Sequence, residues 1–91
     1  MRPSVSPAEE AEIYETVRRE QPQIGRVVDM MLKQLKGLAD VSQKQAISQL
    51  LSGWIMGVYP DNKEMALLLS EHMREQVDIY LNSIMDDEKL H

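Results

Sequence analysis

The sequence contains no cysteine and no phenylalanine, and its aromatic residues are one tryptophan and three tyrosines. Without a thiol, the chain can form neither a disulfide framework nor a thiolate site for zinc, an iron–sulfur cluster or nucleophilic catalysis. Hydrophobic residues nevertheless make up 43% of the chain, and seven of them are methionines. Aliphatic and thioether side chains must therefore supply most of the packing.

Long apolar runs are missing as well. No stretch approaches the roughly 20 apolar residues that cross a bilayer, and the N-terminal MRPSVSPAEE has no apolar segment of the kind found in a signal peptide. We therefore expect a cytoplasmic protein that does not enter a membrane. The 91 residues suit a single domain, 1–91, with flexible ends at 1–5 and 87–91.

Basic residues are scarce, and the charge is unevenly distributed. The net charge is −5, with ten Lys and Arg against fifteen Asp and Glu. Residues 1–23 carry −2, residues 24–63 carry +2 and residues 64–91 carry −5. Because nucleic-acid binding requires clustered cations to neutralise phosphates, the acidic C-terminal part makes a nucleic-acid partner unlikely.

Apolar residues recur at intervals of three and four along most of the chain, a spacing typical of amphipathic helices. No alternating strand pattern or hairpin signal is present. Ser6-Pro7-Ala8-Glu9 has the form of a helix-capping box, and Pro22 disfavours helical geometry at Gln21. The sequence therefore predicts an all-α fold, a small bundle with mostly antiparallel neighbours and about four helices, over residues 7–20, 22–38, 42–58 and 62–85.

The segment from Ala46 to Pro60, AISQLLSGWIMGVYP, resembles a helix with almost no polar face. A helix that is apolar all round must be buried on more than one side. Gly53 and Gly57 flank the single Trp54 and would permit a close approach of another helix backbone. That crossing lies either inside the bundle or between two subunits, and the sequence leaves both readings open.

Groups suited to catalysis or metal binding are few. His72 lies beside Glu71 and near Glu75, but no second Glu-x-x-His motif is present to complete a di-iron site. We read His72 as a boundary histidine with one ring nitrogen in water. The serines lack a G-x-S-x-G setting, and no glycine-rich loop follows a strand. We therefore expect a non-catalytic protein without a cofactor or a metal ion.

One segment resembles the helix-turn-helix of phage-repressor-like regulators. Leu38-Ala39-Asp40-Val41-Ser42-Gln43, followed by Ile47-Ser48 and Gly53, is similar to that pattern over about 16 residues. The resemblance implies a DNA-binding regulator whose recognition helix begins at Val41-Ser42-Gln43. The turn glycine of the family is missing before Val41, and Ile47 falls one residue late.

From these patterns we predict a small helical protein that acts through protein–protein association, with a second copy of itself as the partner. The surplus of apolar helix surface over the volume of a 91-residue domain motivates this prediction. The alternatives are an acidic inhibitor or adaptor of a basic protein and, less favoured, the helix-turn-helix regulator. The residues predicted to form the homodimer interface are Trp54, Met56, Gly53, Gly57, Tyr59, Met30 and Met31.

Overall fold

A computed structural model describes residues 6–89 of the chain. This part contains three α-helices and no strand: α1 (Pro7–Leu35), α2 (Asp40–Val58) and α3 (Lys63–Lys89). The all-α class is confirmed, but the prediction of about four helices is wrong by one. Of the ends predicted to be flexible, 1–5 and 87–91, residues 1–5 and 90–91 lie outside the described residues, whereas residues 87–89 belong to α3.

The extra predicted helix boundary at Pro22 does not exist, because α1 runs through it as one helix of 29 residues. A proline inside a helix removes one backbone hydrogen bond and crowds the carbonyl four residues earlier, here that of Arg18. Glu20, Gln21 and Gln23 around it all favour helix. Gly25, the nearest residue that could readily adopt the left-handed conformation that usually ends a helix, has no positive φ, so α1 continues through Pro22.

The apolar spacing of α1 also continues across Pro22 without a shift. Intervals of three and four residues alternate along the helix through one set of positions: Tyr14, Val17, Gln21, Ile24, Val28, Met31 and Leu35. A heptad of this kind keeps its apolar positions on one face only where the helix is unbroken. The apolar positions before and after Pro22 therefore lie on one face of a single helix, which they would not do in two separate helices.

The end of α1 and the start of α2 are joined by a short turn. Gly37 adopts a φ of 95°, which its lack of a Cβ allows, and the turn is closed by the amide of Leu38 donating to the Leu35 carbonyl at 3.2 Å. α2 begins at Asp40, two residues before the predicted start at residue 42. The Gln43 side chain donates back to the Leu38 carbonyl at 2.9 Å, which ties the first turn of α2 to the preceding turn.

Residues 59–62 form the second turn, as the sequence predicts. Asn62 caps α3, since its Oδ1 accepts a hydrogen bond from the Met65 amide at 3.1 Å. The helix then continues to Lys89, past the predicted end at residue 85. At the other end of the chain, the predicted cap is confirmed, because Ser6 Oγ accepts from the Glu9 amide at 3.2 Å.

Contacts within the chain group it into two units, one up to Lys44 and one from Gln45 onward. In the second unit, the short turn joins the rest of α2 to α3 as a helical hairpin. The half-buried apolar residues of this hairpin recur at intervals of three and four on α3, where they are Met65, Ala66, Leu68, Leu69 and Met73. The prediction of a single domain remains a prediction.

No helix within residues 6–89 is both long and apolar enough to cross a membrane.

Candidate protein–protein interface

α2 presents one side to its partner in the hairpin. Leu51 and Tyr59 are half-buried there, and Ile55 between them is only 6% exposed. Among the residues whose burial is described, Ile55 is the one buried hydrophobic side chain. The spacing of four residues places these three on one side of the helix, so the line through Ile55 marks the core of the second unit.

The opposite side of α2 carries the two glycines. At about 100° per residue, Gly53 and Gly57 each lie about 160° around the helix from Ile55. Trp54 and Met56 lie at about 100° on either side of Ile55, and they remain 51% and 65% exposed. These four residues therefore form an apolar surface with a shallow floor, which we call the glycine face.

The surroundings of the glycines distinguish the two readings of their spacing. A Cβ built on Gly53 or on Gly57 meets no atom within 4 Å. A tight crossing of helices inside the chain would bring backbone or side-chain atoms within that distance. Within the unit from Gln45 onward, α3 therefore makes no close crossing at either glycine, and the glycine face is open in that unit.

The remaining predicted interface residues lie elsewhere. Tyr59 follows α2 on the Ile55 side and is half-buried, so it belongs with the hairpin core rather than with the glycine face. Met30 and Met31 lie on α1, in the other unit, and both are exposed. The structure thus groups four of the seven predicted residues on one surface.

Sequence reasoning missed one member of this surface. Leu50 is not among the predicted interface residues, and it is 54% exposed. It lies three residues before Gly53 and seven before Gly57, a spacing that puts all three on the same side of α2. That spacing was the available signal, and it was obscured because almost every residue of this helix is apolar.

Within the described residues, no group of three or more His, Asp or Glu side chains is placed to hold a metal ion, and His72 is exposed. A concave patch on α1 is lined by Glu20, Gln23, Ile24 and Val27, among others, all from one helix. A single helix cannot enclose a ligand, so this patch is a groove in an exposed surface.

Comparison with known proteins adds no relative: no protein-family model, curated protein or solved structure matches the chain.

Proposed function

We propose that this protein acts through protein–protein association and that its partner is a second copy of the same chain, bound through the glycine face. The observation that carries the proposal is the open, apolar side of α2, where nothing lies within 4 Å of a Cβ added at Gly53 or Gly57. Exposed tryptophan and methionine side chains are the residues that most often anchor protein interfaces. A symmetric dimer would bury the same surface on both copies.

The exposed side chains of α2 support this proposal. Leu50, Trp54 and Met56 are 54%, 51% and 65% exposed. Covering apolar side chains of this kind with a second copy removes them from water, which favours association.

Light scattering across micromolar concentrations tests the proposal directly. We expect the wild-type mass to approach twice 10.5 kDa, and Trp54→Ala to weaken association by about 2 kcal/mol, or roughly 30-fold in the dissociation constant. Trp54 is half-exposed, so we expect the helical circular-dichroism signal of the variant to persist. A wild-type chain that remains monomeric throughout this range would overturn the proposal.

Val41→Ala provides a matched control for Trp54→Ala. Val41 lies in the first turn of the same helix and is 77% exposed. It projects from a different side of α2 than the glycines do, so its truncation removes apolar surface without touching the glycine face. Equal weakening by Val41→Ala and Trp54→Ala would mean that the glycine face is not the contact.

A second candidate function, an acidic adaptor that binds a basic protein, is favoured by the charge of the C-terminal part. Residues 64–91 carry seven carboxylates against two cations, and Glu71 and Asp78 are exposed along α3. Binding of this kind would weaken steeply with salt. A titration from low to high salt on a complex purified from native lysate separates it from an apolar homodimer, which added salt leaves intact.

DNA binding has less support. The helix that would read DNA, α2, carries Lys44 as its one cation among 19 residues. Phosphate and base contacts require several polar and basic side chains. A gel shift at low salt that Lys44→Glu abolishes would favour the regulator over the homodimer.

A further inference from the structure

The heptad face of α1 is exposed along its length. Six positions form what we call the α1 seam: Tyr14, Val17, Gln21, Ile24, Val28 and Met31. No residue of α1 is buried, and the five apolar side chains of the seam are between 37% and 69% exposed. Such a face is stable in water only when another helix covers it.

The α1 seam has the pattern of a two-helix coiled coil. Its positions alternate at intervals of three and four residues from Tyr14 to Met31, and a sustained 3–4 spacing keeps an apolar line facing one partner helix. Pro22 lies off this line, on the outer side of the helix, where the carbonyl that it leaves unpaired can be hydrated. The proline therefore does not obstruct a helix placed on the seam.

Charge along α1 favours one direction of pairing with a second α1. Residues 7–20 carry five carboxylates and two arginines, whereas residues 21–36 carry one carboxylate and three cations. A second α1 in parallel would place acidic half against acidic half. In antiparallel orientation, the acidic half of each helix faces the basic half of the other, which is favourable at both ends at once.

The side chains fit the same orientation. With the midpoint between Gln21 and Ile24, an antiparallel pair places Tyr14 opposite Met31 of the second copy and Val17 opposite its Val28. Each of these layers then pairs side chains of similar size, two large ones at the ends of the seam and two small branched ones next to them. Gln21 would be opposite Ile24, where its flexible amide can reach water at the edge of the seam.

We propose that α1 pairs with α1 of a second copy as a short antiparallel coiled coil centred between Gln21 and Ile24. The pairing rests on the homodimer proposed above and identifies a contact for it that is separate from the glycine face. In the resulting interface, each seam residue makes the same contact in both copies, as twofold symmetry requires. The acidic N-terminal half of α1 in one copy then lies beside the basic C-terminal half of α1 in the second copy.

Engineered thiols test this pairing, because the chain has no cysteine of its own. Full-length Val17→Cys and Val28→Cys are prepared separately, one with a size tag, and then mixed and treated with a short bifunctional thiol reagent. Both sites are 47% exposed, and unchanged circular dichroism verifies that the helices persist. Arg19→Cys, on the outer side of α1, is the control and should not cross-link.

Antiparallel pairing predicts that the mixture cross-links at least tenfold faster than either variant alone. Rapid cross-linking of Val17→Cys with itself would show a parallel pair and overturn the inference. A dimer by light scattering that cross-links in no combination would place α1 outside the interface, which overturns this inference and leaves the homodimer standing. A wild-type monomer would overturn both.

Discussion

At the residue scale, Gly53 and Gly57 account for the open side of α2. Glycine within a helix costs about 1 kcal/mol relative to alanine, and neither glycine here has a positive φ that would require it. No atom of the described chain fills the space that a Cβ would occupy. The cost of these glycines therefore has no compensation inside the chain, whereas a partner helix approaching closely would provide one.

Gly53→Ala should therefore act in opposite directions on folding and on association. In a dilute, dissociated sample, we expect the variant to be more stable by about 1 kcal/mol, because alanine favours helix. At high concentration, we expect weaker association, because the added methyl group separates the two helices. Thermal unfolding at low concentration and sedimentation equilibrium measure the two effects.

Ser52→Ala is the control for this substitution. Ser52 is the neighbour of Gly53 and is exposed, and its Oγ donates to the Ser48 carbonyl of the same helix at 2.8 Å. We expect its replacement to leave association unchanged. If Gly53→Ala associates as tightly as the wild-type chain does, close backbone contact at the glycine face is refuted.

At the element scale, Pro22 marks the main difference between expectation and structure. The steric argument for a break considers only Gln21 and Pro22, whereas α1 is stabilised by 29 residues with a good cap at Ser6. One interior proline costs about 3 kcal/mol, and a long helix with a continuous heptad can carry this cost when its seam is covered. The cooperativity of α1 therefore outweighs the preference of Gln21, the residue before the proline, against helical geometry.

Pro22→Ala should therefore stabilise the protein. In a continuous helix, the substitution restores the hydrogen bond to the Arg18 carbonyl and removes the ring clash, so we expect a gain of up to about 3 kcal/mol. Chemical denaturation followed by circular dichroism measures it. Pro60→Ala, in the turn after α2, is the comparison and should not stabilise the protein.

A break at residue 21 would give the opposite result. Pro22 would then begin a helix, a position where proline is favourable, and its replacement by alanine would leave stability unchanged or slightly reduced.

At the scale of the whole molecule, the chain has more apolar surface than its own helices cover. The side chain of Ile55 alone is buried among the hydrophobic residues of 6–86, and exposed hydrophobic residues occur on all three helices. Small domains bury a low fraction of their surface in any case. Association would add to the same hydrophobic term that holds the hairpin together.

The melting temperature should therefore depend on protein concentration. When folding and dimerisation are coupled, dilution favours the unfolded monomer by mass action. We expect the melting temperature of the wild-type chain to fall by several degrees on a hundredfold dilution. Trp54→Ala should reduce that dependence, and a wild-type melting temperature independent of concentration would argue for a self-sufficient monomer.

Much of the fold could be predicted from the sequence. The capping residue Ser6, the turn at residues 59–62, the end of α2 at Val58 and the all-α class all follow from local signals, which act over three to five residues. The turn before α2 is predicted less accurately, because the predicted helix ends at residue 38 and α1 ends at Leu35. The start of α3 could be placed only within one residue, because Asp61 and Asn62 are both good caps. The composition of the candidate site could be predicted too, since the sequence of α2 shows that the helix has almost no polar face.

The sequence by itself determined that this chain is helical and that one helix is apolar on every side. Only the tertiary structure decided that Ile55 faces α3, that Gly53 and Gly57 face away from it, and that α1 continues through Pro22. The physical reason is that a uniformly apolar helix has no polar stripe to orient it, so its buried side is chosen by the residues on α3 that it meets. The continuity of α1 through Pro22 likewise depends on the whole helix, because the cooperativity of its 29 residues outweighs one unfavourable residue.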